Sequence, residues 1–456
     1  MLNQTFSRSN LEEIYDEDNR KGKNQDDVFF PEVSASSRRL SAKARALRAF
    51  KKRQKKFAKY PKDVQRRYDV LFRNVLKQRR DRESRISNSL ERVSSNINKR
   101  SFRVGITKNT KYAKPVYERD GNPESYYALR QITRNIRSLY KTKPANRNII
   151  ISQIQNLLDD NFPYFIIKTD IASFFESVDQ ERLVQKLLKD QLLSTSSVKI
   201  IKQILWDFSS LAGTTGKGIP RGLGLSSDLA ELFLKVIDRQ IQELEDVAYY
   251  ARYVDDIIIL VAPNKTTEKG KYLPKVRELL SNHGLALNEA KTFDCDRDSY
   301  QKKFNYLGYE FTLKKGAVDI DITHDKFTKL KKRLLSSFKA YEKQRHKNSK
   351  AAYRLLLKRI KFLTGNTRLV NSKRNAFVGV YFGNPNLNKY SRLKALDLIL
   401  AAKSSGLLSA SLRAKLSEMS FERGHREKPF SKFNRHTGHT RRDEFSQIVE
   451  AWRHES

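Results

Sequence analysis

With a single cysteine, Cys295, in 456 residues, the chain has no partner for an internal disulfide and no thiolate set for a structural zinc site. Long apolar runs are missing too. No stretch of about 18 apolar residues occurs, and Met1 to Glu12 is polar, so neither a membrane span nor a secretory leader is expected and the cytoplasm is the expected location. Acidic residues are scarce: 51 Asp and Glu stand against 91 Lys and Arg, leaving a formal charge of +40. Solubility needs far less, and a surplus of this size draws in polyanions and makes their binding salt-dependent, so nucleic acid is the expected partner. Internal repeats and long low-complexity linkers are absent as well. At this length several structural units with a substantial core are expected.

The charge is unevenly spread. Residues 1 to about 30 are acidic and polar, whereas Arg38 to Arg80 holds 18 Lys and Arg against only Asp63 and Asp69. Leu40, Ala44 and Leu47, then Val70, Leu71 and Val75, recur at helical spacing, which predicts basic helices with one buried stripe. Ser101–Lys108 and Ala113–Arg119 read as a strand hairpin. After the turn signal Asp120-Gly121-Asn122-Pro123, helices are expected over 126–140 and 146–159. Phe162–Ile171 has the composition of a buried strand ending in an acid. Helices follow at about 180–210 and 225–245, and Val247–Val261 reads as a hairpin with Asp255 and Asp256 at its bend. Beyond Lys315 the chain is basic, with Phe327, Leu330, Leu334, Leu335 and Phe338 at the spacing of a helical core face.

Carboxylates converging from separate elements are what two divalent cations about 4 Å apart would require. Magnesium takes few protein oxygens and leaves room for water and phosphate. Asp170 closes one apolar strand, and Asp255-Asp256 interrupts an apolar hairpin. A single Asp at a strand end is more often a cap or turn residue. Two adjacent acids between Ile- and Val-rich flanks repel each other unless a cation neutralises them.

Lys168-Thr169-Asp170-Ile171-Ala172-Ser173-Phe174-Phe175 resembles motif A of the reverse transcriptases, and Tyr253-Val254-Asp255-Asp256 resembles their motif C. Between and behind them Gly218-Ile219-Pro220-Arg221-Gly222 with Ser226-Ser227 is similar to motif B, Leu285 to Thr292 to motif D, and Phe304-Asn305-Tyr306-Leu307-Gly308-Tyr309 to motif E. The resemblance covers about 165–312 in the family's order.

It implies an α+β right-hand polymerase fold: a basic, mostly helical N-terminal extension (1–100), fingers (101–165), a palm with the catalytic motifs (166–312) and an all-helical, thumb-like, RNA-binding C-terminal region (313–456). It implies that Asp170, Asp255, Asp256 and the Ile171 carbonyl hold two Mg2+ ions and that Lys291 assists the leaving pyrophosphate. Phe175 would bar a 2′-hydroxyl and so select deoxynucleotides. Gly222 and Gly224 would let the backbone approach the nascent base pair. Arg221, where many members have Gln, would contact the triphosphate. Lys111 and Arg130 are the expected fingers cations, with Lys108, Lys114, Arg119, Arg134 and Arg147 as competitors. His425, His436 and His439 lack the acidic or thiolate companions of a metal site and read as structural or RNA-contacting.

Nothing after Lys315 reads as an RNase H or integrase unit. Arg359–Asn366 and Gly379–Asn384 look similar to segments of the bacterial antiviral reverse transcriptases of the abortive-infection and unknown-group lineage. The implied activity is RNA-templated DNA synthesis from dNTPs in phage defence. Its partners would be a bound structured non-coding RNA and the DNA product, with a second reverse transcriptase or a further copy of the chain as an additional partner. Template-independent or protein-primed synthesis is one alternative, and a non-catalytic RNA-binding scaffold another.

Overall fold

The computed structural model describes residues 2–54, 61–111, 114–142, 145–263, 266–369, 376–431 and 444–452. The chain divides into two compact units: 1–143 with 172–237 and 281–285, and 144–171 with 238–280 and 286–456. These do not follow the expected boundaries at 100, 165 and 312. At the last of these the reason is strand pairing, since one sheet runs from Lys303 on past 312 to Ile322.

In the first unit the extension is helical, as its spacing predicts. Helices Arg8–Arg20, Gln25–Phe29, Pro31–Gln54 and Lys62–Ile97 follow one another. The third and fourth pack as a basic hairpin in which no described residue between Ser37 and Arg85 is fully buried. Leu40, Ala44 and Leu47 are half-buried, as are Val64, Tyr68, Leu71 and Val75 of the helix packed beside them. Val70 does not join this stripe, since it lies 57% exposed. Lys55 and Lys56 lie outside the described residues.

Strands β1 (Ile106–Asn109) and β2 (Val116–Arg119) pair antiparallel, shorter than expected. Lys111 is exposed beyond the end of β1, its backbone N–H donating to Asn109 Oδ1. Helix Pro123–Tyr140 follows with Pro at its start, where a missing N–H costs nothing. Helices Gln180–Asp190 and Thr195–Ala212 complete much of the unit.

In the second unit helix Arg147–Asp159 precedes β3 (Phe165–Asp170). β3 lies between β5 (Asp256–Val261) and β6 (Phe293–Asp296), with β4 (Val247–Tyr253) on the outer side of β5, all antiparallel. Every residue of β3 is buried, so its apolar run is continuous instead of alternating. A second antiparallel sheet joins β7 (Lys303–Tyr306), β8 (Tyr309–Lys314) and β9 (Ala317–Ile322). Leu334 and Phe338 of helix His324–Arg345 enter the same apolar cluster as Ile320 and Phe311.

The region after 313 is not all-helical. Besides β9 it holds a sheet of β10 (Asn366–Leu369), β11 (Ala376–Gly379) and β12 (Phe430–Ser431) in the order β11-β10-β12. Strands of two to four residues are too short to display an alternation against the long helical patterns around them. Gly365 ends the helix Ser349–Thr364, and the chain turns directly into β10.

Candidate active site

β4 and β5 meet in a two-residue turn, Val254 and Asp255, with Tyr253 opposite Asp256. Val254 has φ +61, a left-handed conformation that a β-branched side chain adopts only at a cost of roughly 1–2 kcal/mol. What holds it there is a buried network. Arg252 donates to the Val254 carbonyl at 2.8 Å and to both oxygens of Asp238 at 2.7 and 2.8 Å, while the Tyr250 hydroxyl donates to Asp238 at 2.6 Å. The strained turn is thus clamped from behind.

The clamp sets the position of the acids. Asp170 is opposite Asp256 across the β3–β5 pair, and the Ile171 N–H donates to the Asp255 carbonyl at 3.2 Å. Ile171 also bridges to Leu287, and Asn288 N–H donates to the Asp170 carbonyl at 2.7 Å, which brings in the segment carrying Lys291. Lys291 Nζ donates to Asp170 Oδ2 at 2.7 Å, and Asn288 Nδ2 reaches the same oxygen at 3.2 Å. Lys168, almost buried, donates to the Lys291 carbonyl at 3.0 Å, and the Tyr306 hydroxyl donates to the Asp256 carbonyl at 3.3 Å. Asp170, Asp255, Asp256, Ile171 and Lys291 are therefore brought together. Arg252, Asp238, Asn288 and Lys168 support them and were not anticipated from sequence.

Electrostatics mark the cluster as short of positive charge. Burial, and then the neighbouring Asp170 and Asp255, push the Asp256 carboxyl up to about 6. The hydrogen bond to Asp170 raises Lys291 above the ordinary lysine value, whereas burial lowers Lys168. Among the described residues no three carboxylate, imidazole or thiolate groups converge closely enough, as the side chains stand, to hold a metal ion. Lys291 occupies the carboxylate face that a cation would need. The donor set still suits a hard divalent ion, because oxygen ligands repelling one another are relieved by added positive charge.

A pH dependence follows. A carboxyl raised to about 6 in the folded state binds its proton more tightly than in the unfolded chain. The stability it contributes without metal is full below the ordinary carboxylate value and is lost as pH rises through about 6. A divalent cation held by these carboxylates would compete with that proton, so the rise it gives in melting temperature should be small near pH 5 and grow through about pH 6 to a plateau by about pH 7.5. Melting curves with and without Mg2+ across this range measure it. A shift independent of pH would remove Asp256 from the site.

The first unit carries Phe175, Arg221, Gly222, Gly224, Lys111 and Arg130. Phe174 is buried, whereas Phe175 is half-exposed, so the doublet divides into one core ring and one surface ring. The Arg221 guanidinium lies 5.1 Å from the centre of the Phe175 ring and donates to both Glu176 oxygens at 3.1 and 3.3 Å. That side chain is engaged by Phe175 and Glu176. Gly222, at φ +108, is required by a close approach within the protein. A Cβ there would stand 2.5 Å from Val116 Cγ1 and 2.7 Å from the Tyr117 carbonyl oxygen, so the glycine lets the loop pack on β2. A Cβ at Gly224 would meet open space.

Arg130 pairs at 3.0 Å with Asp18, a fully buried acid of the N-terminal extension that also binds Lys23 at 2.9 Å. Of the competitors, Arg147 belongs to the second unit, where it donates to the Leu307 carbonyl at 2.7 Å. His425 is buried and bonded to the Asn384 carbonyl at 2.8 Å, as a structural histidine; His436 and His439 lie outside the described residues.

Residues 125–311, which contain all five motifs, match the family model for reverse transcriptase (RNA-dependent DNA polymerase). The chain carries a reverse-transcriptase domain. Among solved structures it is similar to apo telomerase from Candida tropicalis, at 14% identity and TM-score 0.39, covering 76% of this chain and 61% of that one. It is similar also to telomerase from Candida albicans in complex with a fragment of telomeric RNA, at 14% identity and TM-score 0.34, covering 64% and 55%. The chain thus spans about 55–61% of the length of these telomerase chains. No curated protein matches. In the reverse-transcriptase domain the acids sit on one antiparallel sheet, β4-β5-β3-β6.

Proposed function

We propose that the chain is an RNA-directed DNA polymerase in which Asp170, Asp255 and Asp256, with the Ile171 carbonyl, hold two Mg2+ ions. The observation that carries this is the meeting of the three acids at one end of the central strands β3 and β5, where burial, and then the neighbouring Asp170 and Asp255, raise Asp256 to about 6. Bound divalent ions would supply electrostatic stabilisation of the charge that develops on the transferred phosphate.

The chain's own residues do the rest. Asp256 must lose its proton before it can ligate. Lys291, kept protonated by Asp170, is the cation that would meet the leaving pyrophosphate. Arg252 and Asp238 hold the strained turn so that Asp255 does not swing. Phe175 excludes the 2′-hydroxyl, with Arg221 packed on its ring. Lys111 remains the candidate triphosphate cation, being exposed; Arg130 could serve only by leaving Asp18.

Purified chain given an RNA template, a DNA primer, dNTPs and Mg2+ should extend the primer. Failure on every RNA and DNA template, together with no DNA in nucleic acid co-purified from cells, would overturn the reading.

The role we propose is bacterial antiviral defence, in the cytoplasm, with a structured non-coding RNA as partner. It is supported by the similarity of Arg359–Asn366 and Gly379–Asn384 to the defence lineage and by the surplus of cations. The basic hairpin is the proposed RNA-backbone contact. Replacing Lys51, Lys52 and Arg53 by Gln, together with Lys55 and Lys56, should weaken RNA binding. It should also flatten the salt dependence by roughly 0.7–0.9 for every phosphate that is no longer neutralised. A titration between low and high salt gives the slope, and an unchanged slope would show that the hairpin does not touch RNA.

A further inference from the structure

The small sheet β11-β10-β12 presents aromatic rings to solvent. Phe377 and Phe430 are 49% and 52% exposed, although apolar rings of this size normally seek burial. Register explains the clustering. Phe377 pairs with Arg368, and Phe430 with Asn366, two residues along the same strand, so Arg368, Phe377 and Phe430 share one face. The opposite face carries Thr367 and Ser431, both buried.

Phe382, from the turn after β11, completes the group. Its ring stacks on Phe377 at 5.1 Å and stands 5.5 Å from Phe430, while Phe377 and Phe430 meet edge-on at 5.8 Å. Cations border the rings: the Arg368 guanidinium is 5.8 Å from the Phe377 ring, and Lys428 Nζ is 4.2 Å from that of Tyr381. Neither of those two cations makes a salt bridge with a described acid.

The geometry points to a stacking platform for the unpaired bases of single-stranded nucleic acid, separate from the carboxylate cluster. Half-exposed rings leave apolar surface on which any base can stack, and the adjacent cations, which form no salt bridge among the described residues, meet the phosphates between bases. A protein partner would equally cover the rings. The cations at their margin and the +40 charge of the chain favour a polyanion. Duplex would gain little here, because its bases are already stacked on one another.

The test is binding by the full chain without nucleotides, so that it does not depend on polymerase activity. Probes are a fluorescent oligouridine of about twelve nucleotides and an RNA hairpin duplex of similar length, at roughly 0.3 M salt to screen contacts made through phosphate alone. Phe377→Ala with Phe430→Ala should weaken oligouridine binding by roughly 5- to 150-fold for each base deprived of its ring, with duplex affinity little changed. Phe377→Trp should retain it. To cover a variant that misfolds, 4-thiouridine in the oligonucleotide should photocrosslink the wild-type chain at Phe377, Phe382 or Phe430. Unchanged oligouridine affinity in a double variant that melts like wild type, equal losses for duplex and single strand, or crosslinks found only elsewhere would overturn the proposal.

Discussion

Asp255→Asn together with Asp256→Asn is expected to abolish primer extension while leaving RNA binding and folding intact. The fall should exceed about a thousandfold, since removing one preorganised electrostatic interaction alone costs on the order of 10²–10³ in rate. Stability should not fall with it. Asp256 is raised to about 6 by burial and by two neighbouring carboxylates, so at neutral pH its charge is an unfavourable one that the amide removes. The double variant should therefore melt no lower than wild type in the absence of Mg2+ and lose the magnesium-induced rise. Backbone binding draws on cations elsewhere, among them Lys51, Lys52 and Arg53, and should keep its salt slope. Undiminished synthesis by the double variant would sink the site. Loss of folding along with activity would mean that the acids are structural.

The acids were legible in the sequence because their surroundings are written locally. Asp170 ends a run that is buried throughout, and Asp255 and Asp256 interrupt Ile and Val residues that could only be core. The residues holding them were not legible. Asp238 and Arg252 lie on different elements and read separately as surface charge, yet they form a bidentate pair under the Val254 turn. Asp18 and Arg130 lie 112 positions apart, and an acid in a polar, acidic N-terminal segment gives no sign that it will be fully buried against that guanidinium. Side-chain pairing at such separations depends on tertiary packing, which periodicity does not report.

Glycine shows the same limit. Gly222 stood out because a glycine in a loop signals a close approach, but nothing local names the neighbour it packs on, the chain's own strand β2. The short strands β10, β11 and β12 were invisible for a further reason. Their aromatic residues face outward, so the pattern that marks a half-buried strand never forms around Phe377 and Phe430.

Phe175→Ala should change which sugar is incorporated. The ring is half-exposed beside a buried Phe174, so its truncation should cost clearly less than the roughly 3–5 kcal/mol of a fully buried phenylalanine. If the ring lies under the incoming sugar, removing it opens space for a 2′-hydroxyl. Ribonucleotide incorporation relative to deoxynucleotide should then rise by roughly 10- to 200-fold, the range that small steric differences in a pocket set. The contact with Arg221 sharpens the expectation. That guanidinium is held on the ring by Glu176, so Glu176→Gln should loosen the ring without removing it and give a smaller loss of discrimination in the same direction. Once Phe175 is already Ala, Glu176→Gln should have no further effect on sugar choice. Single-nucleotide incorporation with paired dNTP and rNTP substrates, alongside a melting curve, separates the outcomes. A stable Phe175→Ala enzyme that rejects ribonucleotides as strongly as wild type would remove the gate. An additive effect of Glu176→Gln in the Phe175→Ala background would instead assign Arg221 and Glu176 a contact of their own with the nucleotide.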